Sequence, residues 1–331
     1  MADINSIINE INKKYKKTIV TKGTDMINCD KIPFTSPRAN YVTRGGIPKG
    51  KMSEFFGAEG SGKTTSALDI VANYQKADDR YALYVDLENT LDKDWGELLG
   101  VDFDNVILLK PEQEFGETVL DMTLDIIRSG DVGLVVIDSV PFIIPKAVME
   151  ADLDQKTYAG NSALMTTFCQ KVIPLMNQFD CTVLMINQIR DKMGVTYTAY
   201  NVPGGRMLKH SHSFRVQFSK GSLLDEKGNE VSNSYETPQG NIVNMKIEKN
   251  KVSKPDRKLG TYTLNYTSGV DILTDTVDLG IYLGVINKSG AWFSYEDIKT
   301  QGKSAFVKAL TENDDIRVAL IKEVNDRAIE E

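Results

Sequence analysis

The clearest chemistry in this chain sits in one continuous stretch, Gly57-Ala58-Glu59-Gly60-Ser61-Gly62-Lys63-Thr64. It fits the spacing G-x-x-x-x-G-K-[ST], a turn of small residues whose backbone N–H groups converge on a phosphate. Gly57, Gly60 and Gly62 are expected to supply the positive φ angles of such a turn. Lys63 offers a cation to the β- and γ-phosphates of a bound triphosphate, and the Thr64 hydroxyl a ligand for Mg2+. Ala58, Glu59, Ser61 and Thr65 complete the stretch expected to wrap the nucleotide. The pattern alone also describes an ordinary Gly-rich turn, so its context decides. Met52 to Phe56 reads as a strand after the turn Pro48-Lys49-Gly50. Thr64 to Tyr74 reads as a helix with Ala67, Leu68, Ile70, Val71 and Tyr74 on one face.

Downstream, apolar runs end in polar residues. Tyr81 to Leu87 leads into Glu88, a carboxylate suited to activating a water for attack on a γ-phosphate. Gly133 to Ser139 (GLVVIDS) contains Asp138, suited to holding Mg2+ through its water shell. Cys181 to Asn187 ends in Asn187-Gln188, and a neutral amide there can sense a γ-phosphate without adding charge. Each alone is simply a polar strand end; together, behind a phosphate loop, they describe a nucleotide-hydrolysing site. The stretch Ile189 to Lys209 carries Arg190, Lys192, Arg206 and Lys209 with Met193, Tyr197 and Tyr200 between them, and Gly204-Gly205 near its end. Cations interleaved with aromatic and apolar groups suit single-stranded nucleic acid, although a solvated loop has the same composition. Lys249 and Lys251 share one side of a strand end and could reach a phosphate across an interface.

The elements that must position these residues follow from periodicity. Strands are expected at Val106 to Lys110, Phe214 to Ser219, Asn241 to Lys249 and Gly260 to Tyr266. Helices are expected at Gly116 to Ser129 and Asn161 to Phe179, the latter with a break near Pro174. Thr18 to Lys51 reads as turn-rich, and Gly221 to Gln239 as a polar connection. Met1 to Lys17 reads as an amphipathic helix, packed either on its own domain or on a neighbouring subunit. After Gly269 the composition shifts towards a small α/β appendage. The fold class is α/β, with a central mostly parallel sheet flanked by helices.

Composition bounds the rest. At 331 residues, 41% hydrophobic and 26% charged, the chain can bury a sizeable core. A net charge of −7 confines any nucleic-acid site to a local patch. No apolar run approaches a membrane span, and the N-terminus lacks a secretory apolar core. Cys29, Cys169 and Cys181 have no metal or redox spacing, so a reduced, cytoplasmic state is expected; His210 and His212 are too few for a histidine-rich metal site.

The phrases GAEGSGKTT, VDLENTLD, LVVIDSV, MINQIRDKMGV, GGRMLK, EKNK, VDLG and GAWFSY occur in one order, and the chain closely resembles the bacterial RecA recombinases from about Ile32 to about Leu310. The resemblance implies a RecA-like ATPase core at 32–269 with two DNA-binding loops, an N-terminal docking helix and linker at 1–31, and a small C-terminal domain at 270–331. It implies an ATP-dependent homo-oligomeric filament on single-stranded DNA that pairs with double-stranded DNA and exchanges strands. By the same resemblance, Glu88 activates the attacking water, Gln188 senses the γ-phosphate, and Lys249 and Lys251 reach the neighbouring subunit's ATP. Asp92 and Trp95 lie on the adenine side, Tyr266 is another nucleotide-side aromatic, and Asp152 opens the first DNA loop. Ile189 to Lys209 forms the second DNA loop, and Lys288 and Lys303 capture duplex.

The chain departs from the family pattern at several positions. Leu164 stands where the family commonly has arginine. Lys171 replaces a second arginine, keeping the charge but not the bidentate geometry. Asp191 enters the second loop, and His210 takes the place of an aromatic that couples subunits. The alternatives are a RecA-fold scaffold that coats single-stranded DNA, or a ring-type DNA motor. The single core, Lys249-Asn250-Lys251 and GAWFSY fit a recombinase better.

Overall fold

The computed structural model describes residues 3–16, 18–25, 29–152, 160–191, 200–231 and 237–330. They form two compact units, Met1–Asp30 and Lys31–Glu331. In the first, the expected amphipathic helix spans Ile4–Tyr15, and Lys16 ends it in the left-handed region (φ 51°). Asn12 ties the following chain back to the helix, accepting from the N–H groups of Ile19 and Val20 at 2.9 and 3.0 Å.

The second unit is built on a nine-stranded sheet. In chain order its strands are β1 (Met52–Gly57), β2 (Tyr81–Asp86), β3 (Val106–Leu109), β4 (Val132–Asp138), β5 (Thr182–Gln188), β6 (Phe214–Leu224), β7 (Gly240–Asn250), β8 (Leu259–Asn265) and β9 (Gly269–Val270). Their spatial order is β9-β8-β7-β6-β1-β5-β4-β2-β3. From β6 through β3 every pairing is parallel, and β7 to β9 extend the sheet antiparallel.

Strand alternation splits the core into two layers. Ala82, Tyr84, Leu134, Val136, Leu184 and Ile186 face helices Pro37–Thr43 and Lys63–Gln75. Leu83, Val85, Val135, Ile137, Val183 and Met185 face helices Gly116–Ser129 and Gly160–Phe179. The Lys63–Gln75 helix buries Leu68, Ile70 and Val71 almost completely, each worth about 1.5–3 kcal/mol of transfer free energy. That burial anchors the helix whose first residue is Lys63.

The C-terminal residues build a third core around Val277, Phe306, Leu310, Leu320 and Val324. It sits between helices Ile272–Tyr282, Lys303–Thr311 and Asp314–Glu330 and the antiparallel strands β10 (Asn287–Ser289), β11 (Trp292–Tyr295) and β12 (Ile298–Gln301). Among the described residues no helix is long and apolar enough to cross a membrane.

Several elements differ from the sequence reading. The turn-rich segment hides a helix, Pro37–Thr43, capped by Ser36, whose Oγ accepts from Ala39 N–H at 3.1 Å. Ser-Pro was its only local signal, and seven residues are too few for a clear apolar period. The long helix Gly160–Phe179 runs through Pro174 without a break. Pro174 and Gln170 are both exposed, so water can take the carbonyl that proline's missing N–H leaves free. β6 continues to Leu224, into the stretch read as a polar connection. Its register with β7 shifts between Lys220 and Leu223, and Gly221 lies where a Cβ would be 2.7 Å from the Ile242 carbonyl oxygen. A glycine at a bulge reads from sequence as a strand end.

Candidate nucleotide-binding site

The parallel register aligns the carboxyl ends of four strands. Gly57 of β1 pairs with Gln188 of β5, and Asp86 of β2 pairs with Asp138 of β4. The phosphate loop, Glu88, Asp138 and Gln188 therefore share one lip of the sheet, the usual place for a ligand in a parallel α/β fold. Gly60 (φ 66°) and Gly62 (φ 90°) take the left-handed backbone expected of them, and Gly62 caps the helix that Lys63 begins. Gly57 does not. It is the last residue of β1, and a Cβ there would sit 2.2 Å from Phe218 O and 2.9 Å from Ser61 Oγ. Glycine is needed at 57 for close approach to β6, a tertiary requirement that the local pattern did not reveal.

Lys63 is buried and donates to Ala58 O at 2.7 Å. Burial lowers its pKa, while the charges of Asp138, Glu88 and Glu59 oppose that shift. Thr64 Oγ1 donates to Asp138 Oδ2 at 2.9 Å, and the buried Tyr84 hydroxyl donates to the same oxygen at 2.8 Å. Burial pushes the Asp138 carboxyl up to about 6, against the hydrogen bonds from Tyr84 and Thr64. A hydroxyl beside a carboxylate is a hard oxygen set that suits Mg2+ shared with nucleotide phosphates. In the same loop Ser61 Oγ is buried and has no hydrogen-bond partner among the described residues, a polar atom that a bound phosphate could satisfy.

Glu88 follows β2 on a short loop held by Asp86, which accepts from Thr90 N–H and Leu91 N–H, both at 3.2 Å. Glu88 Oε1 accepts from Gln188 Nε2 at 3.2 Å and from the Ser139 hydroxyl. Alternation along β5 sends Asn187 the other way. Its fully buried amide donates to Glu54 Oε1 at 2.9 Å and to Pro203 O at 3.0 Å, tying the returning end of the long loop to the sheet. Of the two strand-end amides, only Gln188 reaches Glu88. No motif assigns Ser139 a role, and its one local signal is a hydroxyl directly after Asp138.

A cavity of about 300 Å³ opens over the loop, lined by Gly60 to Thr65 together with Trp95, Lys220, Asn241, Val243, Leu264 and Tyr266. Trp95 Nε1 donates to Thr65 Oγ1 at 3.4 Å. Asp92 does not line this cavity; its carboxylate caps the helix Lys93–Leu98, accepting from Trp95 N–H at 3.0 Å. Lys220 and Asn241 come from β6 and β7. Nothing local marked them, because strand pairing alone carries them to the pocket.

Lys249 and Lys251 converge as the period-two spacing requires, but away from the cavity over the phosphate loop. Lys249 Nζ donates to Lys209 O at 2.6 Å and His210 O at 3.1 Å, and Lys251 Nζ to His210 O at 3.2 Å. They cover the carbonyl end of the helix Gly205–Ser211, a favourable place for cations. Burial and the charge of Lys251 bring Lys249 down to about 8.

The other expected contact residues are scattered. Gly204 (φ 96°) and Gly205 (φ 81°) open the Gly205–Ser211 helix, on which Arg206 is exposed. The backbone of Arg190 pairs with Asn201, while Lys192 and Met193 lie outside the described residues, as do 153–159 of the first expected loop. Lys171 is ion-paired with Asp121 at 3.3 Å. Lys288 lies over the Phe293 ring at 5.5 Å, and Lys303 is ion-paired with Asp278 at 2.6 Å.

The RecA N-terminal domain family matches residues 2–271, and the RecA C-terminal domain family matches residues 274–328. The chain is 32% identical over 329 residues to "Protein RecA" of Clostridium acetobutylicum, covering 98% of this chain and 91% of the relative. It is 36% identical over 285 residues to "Protein RecA" of Rubrobacter xylanophilus, covering 86% and 79%. With "Protein RecA" of Mesoplasma florum it is 32% identical over 315 residues, covering 94% and 91%.

Proposed function

The chain belongs to the RecA family and is an ATP-dependent DNA recombinase with DNA-dependent ATPase activity, and from that premise we propose that the residues at the ends of β1, β2, β4 and β5 hydrolyse ATP. Lys63 and the backbone of Gly57 to Thr65 bind the phosphates, with Trp95 on the adenine side, held there by the helix that Asp92 caps, and Tyr266 a second aromatic lining the cavity. Thr64 and Asp138 would hold Mg2+, which when bound would neutralise charge on the phosphate oxygens. Glu88 takes a proton from water as the water oxygen attacks the γ-phosphorus and the bond to the β-phosphate oxygen breaks, releasing ADP and phosphate. This is phosphoryl transfer by positioning and charge stabilisation. The observation that carries the reading is the hydrogen bonding of Glu88 by Gln188 and Ser139 beside the Thr64–Asp138 pair.

Gln188 closes β5 immediately before residues 189–209, so its amide is well placed to couple the γ-phosphate to the second DNA loop. Lys249 and Lys251 reach the ATP of a neighbouring subunit, and residues 1–31 dock on that neighbour in a helical filament on single-stranded DNA. Residues 32–269 act as the ATPase core. Lys171, Arg190, Lys192, Met193, Gly204, Gly205 and Arg206 contact DNA, and Lys288 and Lys303 in 270–331 capture the duplex. The filament works in the cytoplasm.

The test is ATP turnover with and without single-stranded DNA, followed by negative-stain imaging of the same samples. DNA-stimulated turnover with helical filaments in ATP is the expected result. Turnover indifferent to DNA, with no filaments, overturns the assignment of the loops.

A further inference from the structure

We propose that Tyr84 is a positioning residue of the Mg2+–nucleotide site, acting through Asp138. Tyr84 lies on β2 opposite Val136 of β4, and its ring fills the apolar layer that also packs the phosphate-loop helix. Only 2% of the residue is exposed. Its hydroxyl emerges from that layer at the strand ends and donates to Asp138 Oδ2 at 2.8 Å. Thr64 Oγ1 donates to the same oxygen at 2.9 Å.

A threonine hydroxyl has one proton. Donating it to Asp138 leaves its lone pairs for a cation, so the carboxylate orients the hydroxyl. That arrangement works only if Oδ2 stays in place, and a carboxylate held by one donor can still turn about its Cβ–Cγ bond. Tyr84 supplies the second donor. A phenylalanine would fill the same apolar volume, so what the tyrosine adds is its hydroxyl, and that hydroxyl is spent on the carboxylate. Partners of this kind, which hold a metal-binding group without touching the metal, typically change metal affinity by about 10–100-fold when removed.

The inference rests on the Mg2+ reading of Thr64 and Asp138, and the experiment separates the two. The full-length chain is titrated with magnesium chloride while binding of a fluorescent N-methylanthraniloyl-ATP is followed. The same affinity is measured in EDTA, and thermal melting is recorded. In the wild type, Mg2+ should tighten nucleotide binding; no effect of Mg2+ there sinks the Mg2+ reading itself. In Tyr84→Phe the half-saturating Mg2+ concentration should rise about ten-fold, with affinity in EDTA and the melting temperature little changed. An unchanged Mg2+ midpoint overturns the positioning role. So does an equal loss of affinity in EDTA, which would mean general damage to the pocket. In an Asp138→Asn background the Tyr84→Phe change should add nothing; a ten-fold shift persisting there overturns the route through Asp138.

Discussion

Replacing Glu88 by Gln removes one negative charge and almost nothing else. The glutamine carbonyl oxygen can still accept from Gln188 Nε2 (3.2 Å) and from the Ser139 hydroxyl, so both anchors survive. The capacity lost is that of an anionic oxygen to take a proton from water. General-base assistance is worth about 10²–10⁴-fold, or about 2.7–5.4 kcal/mol of barrier. Nucleotide affinity should move the other way, if it moves at all. The Glu88 charge raises the proton affinities of both Lys63 and Asp138, and an anion beside a triphosphate repels it. Removing that anion should leave ATP binding equal or tighter. Single-turnover hydrolysis on single-stranded DNA measures the first quantity, and fluorescent-nucleotide affinity the second. Turnover within about three-fold of wild type would refute the assignment. A parallel fall in affinity would show that Glu88 helps to build the pocket rather than to drive the chemistry.

The remaining predictions concern the loop, the lysine pair and pH. Lys63→Ala should abolish nucleotide binding, and Gly57→Ala should do so as well by forcing a methyl to 2.2 Å from Phe218 O; a Gly57→Ala chain with wild-type affinity would contradict the close packing of β1 on β6. Lys249→Ala should lower DNA-stimulated turnover at least about ten-fold while leaving DNA-free nucleotide affinity intact, because Lys249 lies off its own cavity. Equal loss of DNA-free affinity would place it in its own subunit's site. Asp275, buried on the helix Ile272–Tyr282, accepts from Ser36 Oγ and Thr263 N–H and faces Arg38, and burial raises its carboxyl to about 7 from 3.8. A raised folded-state value favours folding below the unfolded value, and that contribution is lost as pH rises through about 7. The melting temperature of Asp275→Asn, relative to wild type, should therefore climb between pH 4 and 8; a difference independent of pH would exclude the effect.

Much of the site was legible because its chemistry is local. The phosphate loop, Lys63 and Thr64 are contiguous, and Glu88, Asp138 and Gln188 each announce themselves as polar residues closing apolar strands. Residues with a role created by long-range pairing were not legible. Gly57 looks like a turn glycine, yet its requirement comes from β6, more than a hundred residues away in the chain. Tyr84 looks like a core aromatic until β4 brings Asp138 within 2.8 Å of its hydroxyl. Lys220 and Asn241 are unremarkable strand residues that pairing carries to the cavity over the phosphate loop.

The amino-acid sequence by itself determined the fold class and the family, and it singled out the residues of the candidate site, because apolar periodicity and short motifs depend on covalent neighbours. Only the tertiary structure decided which oxygen of which carboxylate each donor holds, that Asn187 turns away while Gln188 meets Glu88, and that Lys249 and Lys251 rest on a helix end rather than on the cavity over their own phosphate loop. Those choices are set by strand register and side-chain reach across the sheet, distances that no local pattern of residues encodes.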